Sequence, residues 1–360
     1  VNDAFFRFVV DMGGPGPDRG KGGKYLLIGP GQTAPANTDG YFVANTPSKI
    51  NWLILRGFLD DEGKTDTARN SFKGGLKVYP YALRANPPAN NFKNLTDWET
   101  NTIHANNFKF YEELDEVIQR EPSELFSPEL LGMASSIGIE KGKPFNPSPE
   151  QKALLTEAVA IGNATARSIL FGPKDPKNYI YPGKAGYWQT GFPGGSHEYL
   201  VNKGNGGRDM DGRTLFFYLA TVNTPAMALE IPGVGSQYAF SSRDGSGAYL
   251  NGSNTYKLNI PANPPAQKFW SFVVYDPQTR SMLQTGEMPY PSKNNKRNAD
   301  MVKNADGSID LYFGPQAPAG MEANWVKTVP GKGWFGIFRL YGPGQEWFDR
   351  TWKLGDIEKV

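Results

Sequence analysis

His104 is the residue whose neighbours best suit proton transfer. It precedes a helix-patterned segment carrying Tyr111, Glu112 and Glu113. A histidine with a carboxylate partner can act as a general base near neutral pH. The competing reading, which we favour, is a hydrogen-bonded histidine fixing the corner before that helix. Ser196 and His197 are adjacent, and side chains of neighbouring residues diverge, so they form a polar loop rather than a nucleophilic pair. No G-x-S-x-G elbow, dinucleotide fingerprint or phosphate-binding loop is present. The run Asp209-Met210-Asp211-Gly212 opens like a calcium loop but lacks the later acceptors and closing Glu. It reads instead as an Asp-Gly turn leading into an apolar strand over 214–221. Asn304, Asp306 and Gly307 read as a hairpin turn first and a ligand second.

A second chemistry is recognition by aromatic faces. Tyr187, Trp188, Phe192 and Tyr199 crowd a glycine-rich stretch, 183–207, that also holds His197 and ends next to Arg208. Trp and Tyr rings in a shallow groove can bind a sugar or another flat, partly apolar ligand, and an Arg adds a carboxylate or phosphate contact. The alternative is that these rings plug the ends of a sandwich as core. Three Asn-x-Ser/Thr tripeptides begin at Asn94, Asn163 and Asn251. Asn163 falls inside the longest expected helix, which argues that this one arises by chance.

Composition removes several classes. The chain of 360 residues has 38 Lys+Arg against 36 Asp+Glu, a net charge of +2 too balanced to imply nucleic acid. Cysteine is absent, which excludes disulfides, thiol nucleophiles and iron–sulfur clusters. Two histidines, His104 and His197, leave little room for a multi-His metal centre, so neither metal nor cofactor is expected. No apolar run approaches the roughly 18 to 20 residues of a membrane span. Eight Trp, 17 Tyr and 22 Phe exclude a disordered chain.

The elements that must position these groups alternate between strand and turn. The 42 Gly and 29 Pro punctuate short β-branched and aromatic runs, the pattern of β-sandwiches. Strands are expected at 4–10, 24–28, 40–44, 52–58 and 76–81, with a short helix at 65–72. Residues 107–120 have helical spacing. Ser127-Pro128-Glu129 and Ser148-Pro149-Glu150 are helix starts, the second with a capping box through Gln151. The helix at 149–171 carries an apolar stripe from Leu154 to Ile169. Alternation then predicts strands at 256–260, 269–276, 309–313 and 334–341. The expected fold is α+β and mainly β: two jelly-roll-like β-sandwich units at 1–100 and 176–360, joined by a helical segment at 101–175.

Longer motifs add a family resemblance. DAFFRFVVDMGGPGPDRGKGGKYLLIGPG, within residues 1–31, resembles the later half of the domain-of-unknown-function family DUF1254. FWSFVVYDPQTRSML, NADGSIDLYFGP, NWVKTVPGKGWFGIFRLYGP and WFDRTW, all within 254–360, resemble its usual partner, DUF1214. TIHANNFKFYEELDEVIQ and KPFNPSPEQKALLTEAVAIGNATAR are similar to the connecting region. The resemblance implies two β-sandwich domains around a helical insert, in bacterial proteins that are often exported, and it supplies no catalytic residues. It also implies that Val1 lies inside the parent domain.

The leading expectation is an exported, cofactor-free binding or cell-envelope protein with a saccharide or small amphipathic ligand, able to form a homo-oligomer. The rivals are a cofactor-free hydrolase of saccharides or esters that uses paired carboxylates, with His104, and a subunit of an extracellular homopolymer.

Overall fold

A computed structural model describes residues 1–60, 62–96, 98, 103–181 and 187–360. The expected boundary at 100/101 and the first residues of the glycine-rich run, 183–186, lie outside them. The chain divides into two compact units, one of residues 1–102 and 111–146, the other of 103–110 and 147–360. The helical segment expected at 101–175 is thus shared between them.

In the first unit, β1 (Lys24–Ile28) and β2 (Tyr41–Asn45) form a parallel pair with Leu26 and Ile28 buried. The glycine-rich loop before β1 is organised from inside by Asp18, which accepts from the Gly13 amide (2.7 Å), the Gly22 amide (2.9 Å) and the Tyr25 hydroxyl (2.8 Å). Burial works to raise this carboxyl, but those donors more than offset it and its pKa falls. Burial and the adjacent Asp18 push the Tyr25 hydroxyl up to about 12.

Helix α1 (Asp66–Gly75) follows, then α2 (Lys109–Arg120), whose later turns belong to this unit, and α3 (Pro128–Ser135). Lys141 Nζ donates to the carbonyls of Ile118, Gln119 and Glu121, closing the C-terminus of α2 as a cation should. The buried Glu121 carboxylate accepts from the amides of Lys49 (2.6 Å) and Ile50 (2.9 Å).

The strands expected at 4–10, 52–58 and 76–81 do not form. Asp3 Oδ1 takes the amides of Phe5 and Arg7, and Phe6 turns to φ 54°. A side chain has captured the donors a ladder would need, leaving isolated bridges at Asn2, Phe8 and Trp52. Pro80 precedes a 3₁₀ turn over Tyr81–Leu83. Among the described residues, then, the sheet of this unit is a single strand pair.

The second unit begins with α4 (Pro149–Phe171), capped by Ser148, which accepts the Gln151 amide at 3.2 Å. Helix α5 spans Met210–Leu219. This replaces the strand expected over 214–221. Asp209 acts as an N-cap, accepting the Gly212 amide at 3.0 Å, and the apolar residues Leu215, Tyr218 and Leu219 fall on one helical face, while Phe216 packs against Phe192 and Tyr199.

The strands are β3 (Ser236–Ser241), β4 (Tyr256–Ile260), β5 (Ala266–Tyr275), β6 (Ser292–Asn294), β7 (Ile309–Gly314), β8 (Trp325–Lys327), β9 (Phe335–Pro343) and β10 (Ile357–Lys359). They make two four-stranded sheets, a front sheet β10-β4-β7-β8 and a middle sheet β3-β9-β5-β6. Phe272 of the middle sheet meets Phe313 of the front sheet at 4.8 Å, within a core that includes Trp188, Tyr256, Leu258, Leu311 and Phe338. A second core, on the other face of the middle sheet, packs Phe240, Phe335 and Ile337 against Leu170, Phe171 and Leu215. The unit is three layers: front sheet, middle sheet, and α4 with α5. The expected α+β class with sheet-built units holds, and the stacked pair of sheets belongs to this unit.

Gly336, the second residue of β9, tests the packing around Phe272. A Cβ there would overlap the Phe272 ring, which is wholly buried and has nowhere to move. Gly336→Ala is expected to destabilise the protein by about 1–3 kcal/mol, read as a lower urea midpoint. Adding Phe272→Leu is expected to restore part of the loss.

Candidate functional site

The front sheet is buried on one face only, so its strands alternate. Tyr256, Leu258 and Ile260 of β4, Ile309, Leu311 and Phe313 of β7, and Ile357 of β10 point into the core. The outward positions are Lys257 and Asn259, Asp310 and Tyr312, and Glu358. Register places Lys257 opposite Glu358 on one side and Tyr312 on the other, with Asn259 opposite Asp310. Asn259 Nδ2 donates to Asp310 Oδ1 (2.7 Å) and Ser308 Oγ (3.1 Å).

The loop 304–308 closes one edge. The Asn304 amide donates to the Ser308 carbonyl, Asn304 Nδ2 to Ser308 Oγ, and the Ser308 amide and hydroxyl to Asp306 Oδ1. The tight turn read from the sequence is therefore present, and it forms part of a wall.

These groups, with Gly355 and Asp356, line a cleft of about 630 Å³. Of its ten lining residues only Ala305 and Gly355 lack a hydrogen-bonding side chain. Four carboxylates, Asp306, Asp310, Asp356 and Glu358, face one ammonium, Lys257. Burial pushes the Asp356 carboxyl up, and the neighbouring Glu358 adds to it. The Ser308 hydroxyl and amide hold Asp306 down. One cleft thus contains a carboxyl that keeps its proton more readily and another that gives it up more readily.

The segment carrying Asp356 is fixed from behind by aromatic residues. Trp188, 1% exposed, donates its indole N–H to the Gly355 carbonyl at 2.9 Å. The Tyr181 hydroxyl accepts the Leu354 amide at 3.2 Å.

Asn304 and Asp306 of the turn read from the sequence line the cleft; the eight residues considered there for catalysis or aromatic recognition lie elsewhere. His104 is exposed in the second unit; its ring is 5.9 Å from Tyr218 and 6.3 Å from Phe110, and its Nδ1 is 3.1 Å from the Ala105 carbonyl. Glu112 and Glu113 are exposed on α2, in the first unit. Trp188 and Tyr199 are core, so neither ring offers a face to a ligand: Tyr199 is 2% exposed, stacked on Phe192 at 6.0 Å, and burial drives its hydroxyl pKa far upward. Tyr187 is half-buried beneath Arg243, 5.6 Å away. The half-buried His197 gives its carbonyl to Asn223 Nδ2, and the exposed Arg208 donates to the Glu198 carbonyl. Asn163 lies inside α4, its amide oxygen accepting from the Tyr218 hydroxyl.

Residues 1–80 match the family described as Protein of unknown function (DUF1254), and residues 235–345 match Protein of unknown function (DUF1214). The chain belongs to the paired DUF1254/DUF1214 family. The DUF1214 match spans β3 to β9 in full but ends before β10; the cleft thus combines matched strands with the C-terminal strand beyond them. No curated protein matches the chain.

Among solved structures, the VPA0106 protein from Vibrio parahaemolyticus is 18% identical with a TM-score of 0.43, over 93% of this chain and 75% of that one. An uncharacterised protein from Burkholderia cenocepacia is 16% identical with a TM-score of 0.28, over 64% and 48%. Among the described residues of this DUF1254/DUF1214 chain, no helix is long and apolar enough to cross a membrane, and no group of three His, Asp or Glu side chains is placed to hold a metal ion.

Asp356 gives the cleft a pH signature. Its folded pKa lies above the unfolded value of 3.8, so the native state holds this proton more tightly and stability falls as pH rises from about 4 through the raised value. Asp356→Asn is expected to flatten that fall, measured as urea midpoints from pH 3.5 to 7.5. An unchanged profile would place Asp356 in an ordinary solvated setting.

Proposed function

We propose that the protein binds a neutral, hydroxyl-rich ligand of saccharide type in the front-sheet cleft, acting without a cofactor as an exported binding or cell-envelope protein. The observation that carries this reading is the lining: eight of ten residues present donors or acceptors, and its surface is more polar than apolar. Sugar hydroxyls both donate and accept. They can give protons to the carboxylates of Asp310 and Glu358 and to the amide oxygen of Asn259 while accepting from Lys257. An amphipathic ligand would need apolar walls, and the aromatic rings that could have supplied them are packed in the core. An anionic ligand would meet four carboxylates.

Titration with a panel of neutral oligosaccharides, by calorimetry or saturation-transfer NMR, tests this. One member is expected to bind saturably, and Asn259→Ala and Glu358→Gln are each expected to weaken it about tenfold, the loss of one or two hydrogen bonds to charged or amide groups. No saturable binding across the panel, or binding indifferent to both changes, would sink the reading.

A second reading rests on the opposed carboxyl shifts within the cleft. Asp356, pushed up, suits a proton donor, and an ionised partner suits a base or nucleophile, the division of labour used in glycoside hydrolysis. In that case Asp356→Asn retains saccharide binding and loses reducing-end release by at least a hundredfold. His104 has no part in this arrangement.

A further inference from the structure

A different site lies on the helix side of the second unit. The hairpin after β5 carries Arg280 in a left-handed conformation, φ 55°, with its side chain 8% exposed. A non-glycine residue in that region is strained, and the surroundings hold it there. Its Nε donates to the Tyr218 carbonyl at the end of α5 (2.9 Å), one Nη donates to the Gln278 carbonyl (2.7 Å), and the guanidinium lies 3.9 Å from the centre of the Tyr218 ring.

Gln278 also accepts from a second arginine. Its Oε1 takes Nη2 of Arg167, from α4, at 2.6 Å. One residue therefore grips two guanidinium groups, one through its main chain and one through its side chain. Among the described residues neither arginine forms an ion pair with a carboxylate. The acid of the same hairpin, Asp276, is engaged by Lys332 at 2.7 Å. Arg167 Nε is buried without a hydrogen-bond partner. Burial lowers the pKa of Arg280; the Tyr218 ring counters this, and the nearby Arg167 lowers it further.

Two neighbouring cations, one of them buried, need negative charge to offset their desolvation and mutual repulsion. We propose that Arg167 and Arg280 form a binding site for an oxyanion, the carboxylate or phosphate group of a small molecule. Arg280 is the preset half of the site, locked on Tyr218 and two carbonyls. Arg167 is the half that reaches in from α4 with its Nε still to be satisfied. The planar fork of a guanidinium suits both candidate groups. His104, whose ring lies 5.9 Å from that of Tyr218, stands beside the same aromatic residue.

The test is calorimetric titration of the whole chain with inorganic phosphate and, separately, with acetate, at constant pH and ionic strength. One saturable site is expected for at least one probe, and the tighter probe identifies the group. Arg167→Gln is expected to weaken that probe at least about tenfold, and Arg167→Lys, which restores the charge but not the fork, is expected to fall between the two. Arg167 carries the test because loss of Arg280 also releases the hairpin from α5. Saturation by neither probe, or equal affinity in wild type and Arg167→Gln, overturns the proposal.

Discussion

Strand β9 is buried on both faces, and the architecture of the second unit follows from that. Phe338 and Leu340 point into the space between the two sheets, while Phe335 and Ile337 point toward α4 and α5. A strand with apolar side chains on both sides cannot leave either face to water, so the middle sheet must be covered twice. The front sheet covers one face and the two helices the other. The approach of Phe272 to Phe313, 4.8 Å between ring centres, shows how closely the first cover is made. Toward the end of β9 the helix-facing row turns polar at Arg339, whose guanidinium lies 5.8 Å from the Tyr238 ring and 5.7 Å from that of Tyr275.

The same constraint decides where chemistry can sit. A two-sided strand has no outward row to spare, whereas the front sheet, covered once, presents every second side chain to solvent. Its outward residues are spaced two apart along each strand and paired by register between strands, so Asn259, Asp310, Lys257 and Glu358 converge although up to a hundred residues separate them. Aromatic packing then acts on the site from the dry side. Trp188 and Tyr181 spend their polar atoms on Gly355 and Leu354, the two residues before Asp356. The hydrophobic core and the polar cleft are two faces of one sheet.

Much of this architecture is legible in the sequence because period and capping are local. Tyr256-Leu258-Ile260 and the helix start at Ser148-Pro149 are read at their observed positions. The strand at 4–10 is not, because Asp3 takes the amides that a ladder needs, an outcome that depends on which of two local hydrogen-bond patterns wins. The strand expected at 214–221 is a helix for a similar reason: Asp209 followed by Gly212 satisfies a turn or an N-cap equally well, and only packing against α4 decides. The site was hidden differently. Trp188 and Tyr199 stand out because aromatic runs between glycines look alike whether they form a platform or a core. Apart from the turn at Asn304 to Ser308, the cleft residues form no motif. The signal available was the polar half of each alternating strand, with Lys257 and Asn259 in one run and Asp310 in another, read as a surface in its own right.

The near-neutral net charge conceals a separation of charge across the layers of the second unit. The outer face of the front sheet gathers four carboxylates around one lysine. On the far side of the middle sheet, Arg167 and Arg280 meet around Gln278, with no carboxylate among the described residues paired to either. Two apolar cores lie between these groups, so they neither neutralise each other nor share a ligand. Charges held apart in this way set local fields that a whole-chain count averages to almost nothing, and each field selects its own chemistry. The acidic cleft disfavours anions and accepts hydroxyl protons, while the arginine pair favours anions. Composition alone gives no reason to expect a nucleic-acid partner; the layering is what keeps two local fields of opposite sign apart in one nearly uncharged chain.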